Sequence, residues 1–171
     1  LNKAVMGEPD NAGYSLALAD IQVENKKYDI ALDLLLKLVK AGPNKPDVLF
    51  SVCTVYSKKR FYTAAIDFCE RTLDLTPKKI DVMNRLAWLY AKKRIKVGIG
   101  LELIQRVLQS NPSQAKYVDT FAELLYAKGD IEGAVKSMNE ILRIDPGNSY
   151  YKQQMWKFKN VPLRPLNAVQ N

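Results

Sequence analysis

The chain has 171 residues, 47% of them apolar, and a formal charge of +8; that is enough apolar sequence for an ordinary domain with a core, and it excludes a disordered chain. There is no histidine, which excludes Ser-His-Asp and Cys-His catalysis, histidine metal sites and histidine pH switches. The two cysteines, Cys53 and Cys69, are too few for a structural zinc site, and no run approaches the roughly 20 apolar residues of a membrane helix.

Residues 1–11, with Gly7 and Pro9 close together, read as a weakly ordered incoming segment. The chain starts at Leu1 rather than Met, which leaves open both a cytoplasmic protein and one exported after loss of an N-terminal signal. From Asn11 the pattern is helical. Leu16, Leu18, Ala19, Ile21 and Val23 give one apolar face, and Asn25-Lys26-Lys27 breaks it. Tyr28, Ala31, Leu32, Leu35, Leu38 and Val39 give a second face at spacings of three and four, the helical signature. Gly42-Pro43 closes the pair.

The second pair enters at Pro46-Asp47, with proline in the first turn. Leu49, Val52, Cys53 and Tyr56 point inward; Lys58-Lys59-Arg60 turns the chain; Tyr62, Ala65, Ile66, Cys69, Leu73 and Leu75 follow, and Thr76-Pro77 stops them. The third pair runs from Val82, Leu86, Ala87, Leu89 and Tyr90 through Lys92-Lys93-Arg94 to Ile99, Leu103, Ile104, Val107 and Leu108. It is one residue longer than its neighbours, and the extra residue is placed in the turn between Arg94 and Gly98. Gly100 stands where the other repeats have Ala31, Ala65 and Ala134, a place that needs a small residue between close helices. The fourth pair holds Val118, Phe121, Ala122 and Leu125, the turn Lys128-Gly129-Asp130, then Ile131, Ala134, Met138, Ile141, Leu142 and Ile144 before Asp145-Pro146-Gly147.

Pro43, Pro77, Pro112 and Pro146 are spaced by 34, 35 and 34 residues, the period of a stacked repeat. Four repeats are expected at 12–45, 46–79, 80–114 and 115–148. After them the period fails. Asn148 or Ser149 can cap one more helix over 149–160, with Tyr151, Met155 and Phe158 on one face, as the end cap that a stack needs. Residues 161–171, with Pro162 and Pro165, read as an extended basic tail.

The pattern resembles the tetratricopeptide repeat family, whose 34-residue signature of tryptophan, leucine-glycine, tyrosine, alanine, phenylalanine and proline is matched at Leu86-Ala87-Tyr90-Pro112, Leu18-Ala19-Ala31-Pro43, Tyr56-Ala65-Pro77 and Ala122-Gly129-Ala134-Pro146. Ser15, Leu49, Met83 and Val118 fill the tryptophan place, a departure in size. The resemblance implies an all-α fold, a right-handed superhelical solenoid of antiparallel helix pairs. It also implies a concave groove lined by the first helix of each repeat. Carried over by position, that groove shows Leu16, Asp20, Phe50, Thr54, Asn84, Arg85, Trp88, Asp119, Glu123 and Tyr126. Trp88 is the expected anchor, being off the apolar face and of a type common at binding hot spots; the alternative is that it only covers its neighbours. One subfamily clamps the C-terminal carboxylate of chaperones. Of the clamp places only Arg85 matches, whereas Leu16, Asp20, Ser51 and Asp81 do not, so that partner is not expected.

Basic residues fall in the turns within repeats: Lys26-Lys27, Lys58-Lys59-Arg60, Lys92-Lys93-Arg94 and Lys128. Stacking would align them as a ridge for an anionic partner; solvated turns are the favoured alternative. Nucleic acid is not expected, because stacking aromatics are not interleaved with the charges. Cys53 and Cys69 occupy facing places and fit two buried thiols better than a disulfide, which would imply an oxidising compartment.

No nucleophile-base pair, phosphate loop or metal cluster is evident, so no enzyme activity, metal or cofactor is expected. The expected function is a non-catalytic scaffold or adaptor that holds a protein or peptide. The alternative is an assembly subunit, homo- or hetero-oligomeric, that uses the ends of the stack and the tail.

Overall fold

The computed structural model describes residues 12–42 and 45–163. The incoming segment, Asn11, Pro43 and the tail from residue 164 lie outside the described residues. Among those described, nine α-helices follow in order: α1 (Ala12–Glu24), α2 (Tyr28–Ala41), α3 (Pro46–Lys58), α4 (Tyr62–Leu75), α5 (Ile80–Lys93), α6 (Val97–Ser110), α7 (Ala115–Lys128), α8 (Ile131–Ile144) and α9 (Ser149–Asn160). The fold is all-α and its helices pack in sequential pairs, as the repeat pattern predicts.

The chain divides into two compact units, 1–82 and 83–171, each with its own core. In the first, Ala19, Ala31, Leu35, Val48, Val52 and Val55 form the buried centre. The small residues Ala19 and Ala31 sit where α1 meets α2, so a large side chain at either would push the pair apart. In the second, Ala122, Tyr126, Ala134, Met138, Ile141, Met155 and Phe158 are buried together. The last two come from α9, which packs on α8 and closes that end of the unit. Asn148 caps α9: its side-chain oxygen accepts from the backbone N–H groups of Tyr150 and Tyr151, satisfying two donors that a helix start leaves open.

The turns within the pairs share one device. Lys26, Arg60, Arg94 and Gly129 occupy the same place in successive turns, and all have positive φ, at 58°, 63°, 54° and 96°. This left-handed residue reverses the chain after the first helix. The extra residue of the third pair is also found here. Lys96 is a second left-handed residue, φ 46°, and it delays the start of α6 by one position. Gly100 then passes close to its neighbours. A Cβ on it would lie 2.6 Å from Leu124 Cδ2 and 3.5 Å from the Ala87 carbonyl oxygen, so the small residue expected there is required by packing.

Four inward assignments are corrected. Leu75, Ile99, Ile131 and Ile144 are exposed, Ile144 at 73%. Leu75 and Ile144 end their helices and Ile99 and Ile131 lie in first turns, where no neighbouring helix covers them. The reading of Cys53 and Cys69 as thiols is corrected as well. The two are joined in a disulfide between α3 and α4, with Cα atoms 5.4 Å apart, inside the range that a bridge spans. Both residues are fully buried.

Candidate functional site

The first helices of the second unit are α5 and α7, and α9 follows them at the same period. Together they carry a connected polar face. Trp88 and Lys92 lie one turn apart on α5, with the Lys92 ammonium 5.1 Å from the centre of the Trp88 ring. The same ammonium donates to Glu123 Oε1 at 2.7 Å. From α9, Gln154 Nε2 donates to that oxygen at 2.9 Å, and the Lys157 ammonium donates to it too. Gln154 Nε2 also donates to the Tyr150 hydroxyl at 2.9 Å. That hydroxyl in turn donates to Asp119 Oδ2 at 2.9 Å. The face is thus one continuous network from Trp88 to Asp119.

The two carboxylates of α7 are one turn apart and differ in state. Both are buried, Glu123 at 3% exposure and Asp119 at 6%. Burial pushes the Glu123 carboxyl up, but the ammonium groups of Lys92 and Lys157 outweigh it and hold the group below its usual value. Asp119 has no cation bonded to it. Burial raises it to about 6, with the Glu123 charge adding to the rise and the Tyr150 hydrogen bond opposing it. Burial also lowers the Lys157 ammonium, against the pull of Glu123, and raises the Tyr150 phenol, aided by the Asp119 charge.

Two acceptors on this face are unmet. Asn84 Oδ1 and Asp119 Oδ1 are buried with no hydrogen-bond partner. A buried acceptor left in this state costs about 1–3 kcal/mol, and such groups in a native fold call for an explanation. The two residues stand at corresponding places of α5 and α7, 35 positions apart. Glu123 Oε1 accepts from three donors, whereas Asn84 Oδ1 and Asp119 Oδ1 accept from none.

The remaining groove residues are placed as follows. Trp88 and Arg85 are half-buried on α5. Tyr126 is buried, with its ring 4.9 Å from that of Phe158 and its hydroxyl donating to the Val161 carbonyl at 2.6 Å. Asp119, Glu123 and Tyr126 are therefore engaged by α9 and the residue after it, not open to solvent. In the first unit, Leu16 is half-buried against the core, Thr54 is half-buried and Asp20 is exposed. Partial burial, then the Glu24 charge, pushes the Asp20 carboxyl up. Phe50 is half-buried, and Lys79 lies 5.7 Å from its ring centre.

Of the basic residues, Lys58, Arg60 and Lys93 are exposed, while Lys59 and Arg94 are half-buried. Lys92 is turned in to Glu123. Reading by residue type missed Tyr150, Gln154 and Lys157. One signal could have found them: Lys157 follows Glu123 by 34 residues, one full period, so α9 stands where a further first helix would.

Comparison with known proteins places the fold. Solved structures similar to this chain include MamA 41-end from Desulfovibrio magneticus RS-1, at 17% identity and a TM-score of 0.74 over 88% of this chain and 84% of that one. YrrB, described as a TPR protein with an unusual peptide-binding site, is 18% identical with a TM-score of 0.73 over 89% and 78%. A tetratricopeptide repeat protein from Parabacteroides merdae ATCC 43184 is 15% identical with a TM-score of 0.77 over 92% and 62%. No protein-family model matches the chain, and no curated protein does. The fold is that of tetratricopeptide repeat proteins, and the nine described helices accord with four repeats and a capping helix.

Proposed function

We propose that this chain is a non-catalytic interaction module that holds a peptide or protein segment against the first-helix face of its repeats. The observation that carries the reading is Trp88 on the first-helix face of α5, half-buried with the Lys92 ammonium 5.1 Å from its ring centre. An aromatic side chain so placed is an anchor of the kind that dominates interfaces, and the half-buried Asn84 and Arg85 lie on the same helix. The peptide-binding site described for YrrB supports the same use of a shared fold. The groove positions of the first unit, Leu16, Asp20, Phe50 and Thr54, extend the proposal to that unit.

Selection of peptides from a displayed library on the whole chain tests this. Selected peptides should bind Trp88→Ala and Asn84→Ala at least tenfold more weakly, in line with loss of an anchor. Binding by both variants equal to that of the parent would remove the proposal. A second reading, an assembly subunit, is favoured by Trp156, which is 61% exposed on the closing helix α9. Light scattering across concentration decides it: a constant monomer mass counts against it.

A further inference from the structure

We propose that the turn edge of the first unit docks on an anionic lipid bilayer. Two turns build this edge: residues 25–27 between α1 and α2, and 59–61 between α3 and α4. Lys59 joins them, because its ammonium pairs with Asp29 in the first turn of α2. Lys26, Lys27, Lys58 and Arg60 are exposed. With Lys59 they set five cations beside the two carboxylates of Glu24, which ends α1, and Asp29.

Two large apolar side chains stand in the open among these charges. Ile30 is 52% exposed and Phe61 is 55% exposed, and the Lys59 ammonium lies 5.2 Å from the Phe61 ring centre. Exposed apolar groups ringed by cations match the two layers of a membrane surface. The apolar groups enter the acyl boundary, and the ammonium and guanidinium groups meet anionic headgroups. Each attraction alone is weak, and their combination on one edge is what gives stable binding.

The backbone adds an independent observation. Lys26 and Arg60 hold the left-handed place of their turns, where glycine is unstrained and other residues are not. The fourth turn does use glycine there. Cations thus stand at places where the turn itself favours a residue with no side chain. The turn between α5 and α6 has the same composition, with Lys93 and Lys96 exposed beside an exposed Ile95. Nucleic acid fits this edge less well, since of its two exposed apolar side chains only Phe61 offers a stacking platform for a base and the aliphatic Ile30 does not. Docking is peripheral, because no helix among the described residues is long and apolar enough to cross a membrane.

The test is co-sedimentation of the whole chain with phosphatidylcholine vesicles, with and without phosphatidylserine. Binding is expected only with phosphatidylserine, and it should weaken as salt rises. Lys58→Gln with Arg60→Gly should lower the partition roughly 25-fold, about fivefold for each cation near the surface. The glycine suits the left-handed backbone, so this variant keeps its fold. Ile30→Ser with Phe61→Ser should also lose most vesicle binding. Phe61 caps α4 without a side-chain hydrogen bond, and serine is a better cap. Circular dichroism checks both variants for native helix content. Equal binding to neutral vesicles, or vesicle binding unchanged in either variant, overturns the proposal. So does binding to a duplex oligonucleotide that Lys58→Gln with Arg60→Gly abolishes while Ile30→Ser with Phe61→Ser leaves it intact; that outcome assigns the edge to nucleic acid.

Discussion

The Tyr150 hydroxyl donates to Asp119 Oδ2 across 2.9 Å, tying the closing helix to the last repeat through a carboxyl that burial has raised to about 6. The folded chain therefore holds this proton more tightly than the unfolded chain, whose value is about 3.8. Below that value the group favours the fold. As pH climbs from about 4 to about 6 that contribution is lost, at about 1.4 kcal/mol for each unit of difference. Glu123, held low, acts in the opposite sense: its contribution is present at neutral pH and is lost on acidification. Asp119→Asn should remove the first trend alone. Denaturant titrations at pH 4 and pH 7 should show the variant gaining stability relative to the parent by about 2 kcal/mol at the higher pH.

Glu123→Gln tests the hub of the network. The carboxylate receives two ammonium groups and one amide on a single oxygen. The amide that replaces it keeps the shape and loses both charge pairs, leaving two half-buried ammonium groups facing a neutral group. The lysines are about a quarter exposed, which softens the loss through solvent screening. A destabilisation of about 2 kcal/mol is expected in urea unfolding. Lys92→Met alone should cost less, since Lys157 and Gln154 remain.

The Cys53–Cys69 bridge closes a loop of 16 positions, a length for which cross-linking contributes roughly 3 kcal/mol in the chain-entropy model. The non-reduced protein should show no reactive thiol after unfolding in denaturant. Adding reductant to unfolded chains before refolding should lower the melting temperature. Both cysteines are fully buried, so reductant added to the folded chain should act only at the rate of local opening. Two thiols titrated on the unfolded, non-reduced protein would contradict the bridge.

The turn device predicts substitutions of opposite sign. Gly129→Ala places a Cβ in the left-handed region and should cost about 1 kcal/mol. Lys26→Gly removes one and should gain a few tenths of a kcal/mol, the relief of strain being partly offset by the entropy of glycine in the unfolded chain. Paired thermal melts check both.

The paired helices were legible because the packing that holds them recurs. Leu86-Ala87-Tyr90 and its counterparts place a large, a small and an aromatic residue on one face, and four prolines recur in the sequence at a near-constant interval. The position of the third-repeat insertion was legible for the same reason, since a core helix has no room for an extra residue and a turn does. The site was less so. Asp119 and Glu123 could be assigned to a first helix, but α9 carries none of the family pattern, so its donors to them could not be read from residue type. Whether two facing cysteines bond depends on Cα separations that only coordinates supply. The exposure of Ile30 and Phe61 depends on which neighbours fail to cover a turn, and periodicity does not report that.

The most direct measurement of the partner-binding claim uses the chain with Trp156→Phe, which leaves Trp88 as the sole tryptophan. A display-selected peptide is titrated in while the Trp88 emission is followed. The proposal requires a saturable shift in emission whose midpoint matches the affinity from calorimetry, and loss of that affinity in Asn84→Ala. Saturation by calorimetry with no change in Trp88 emission, and with Asn84→Ala binding as the parent does, would contradict it.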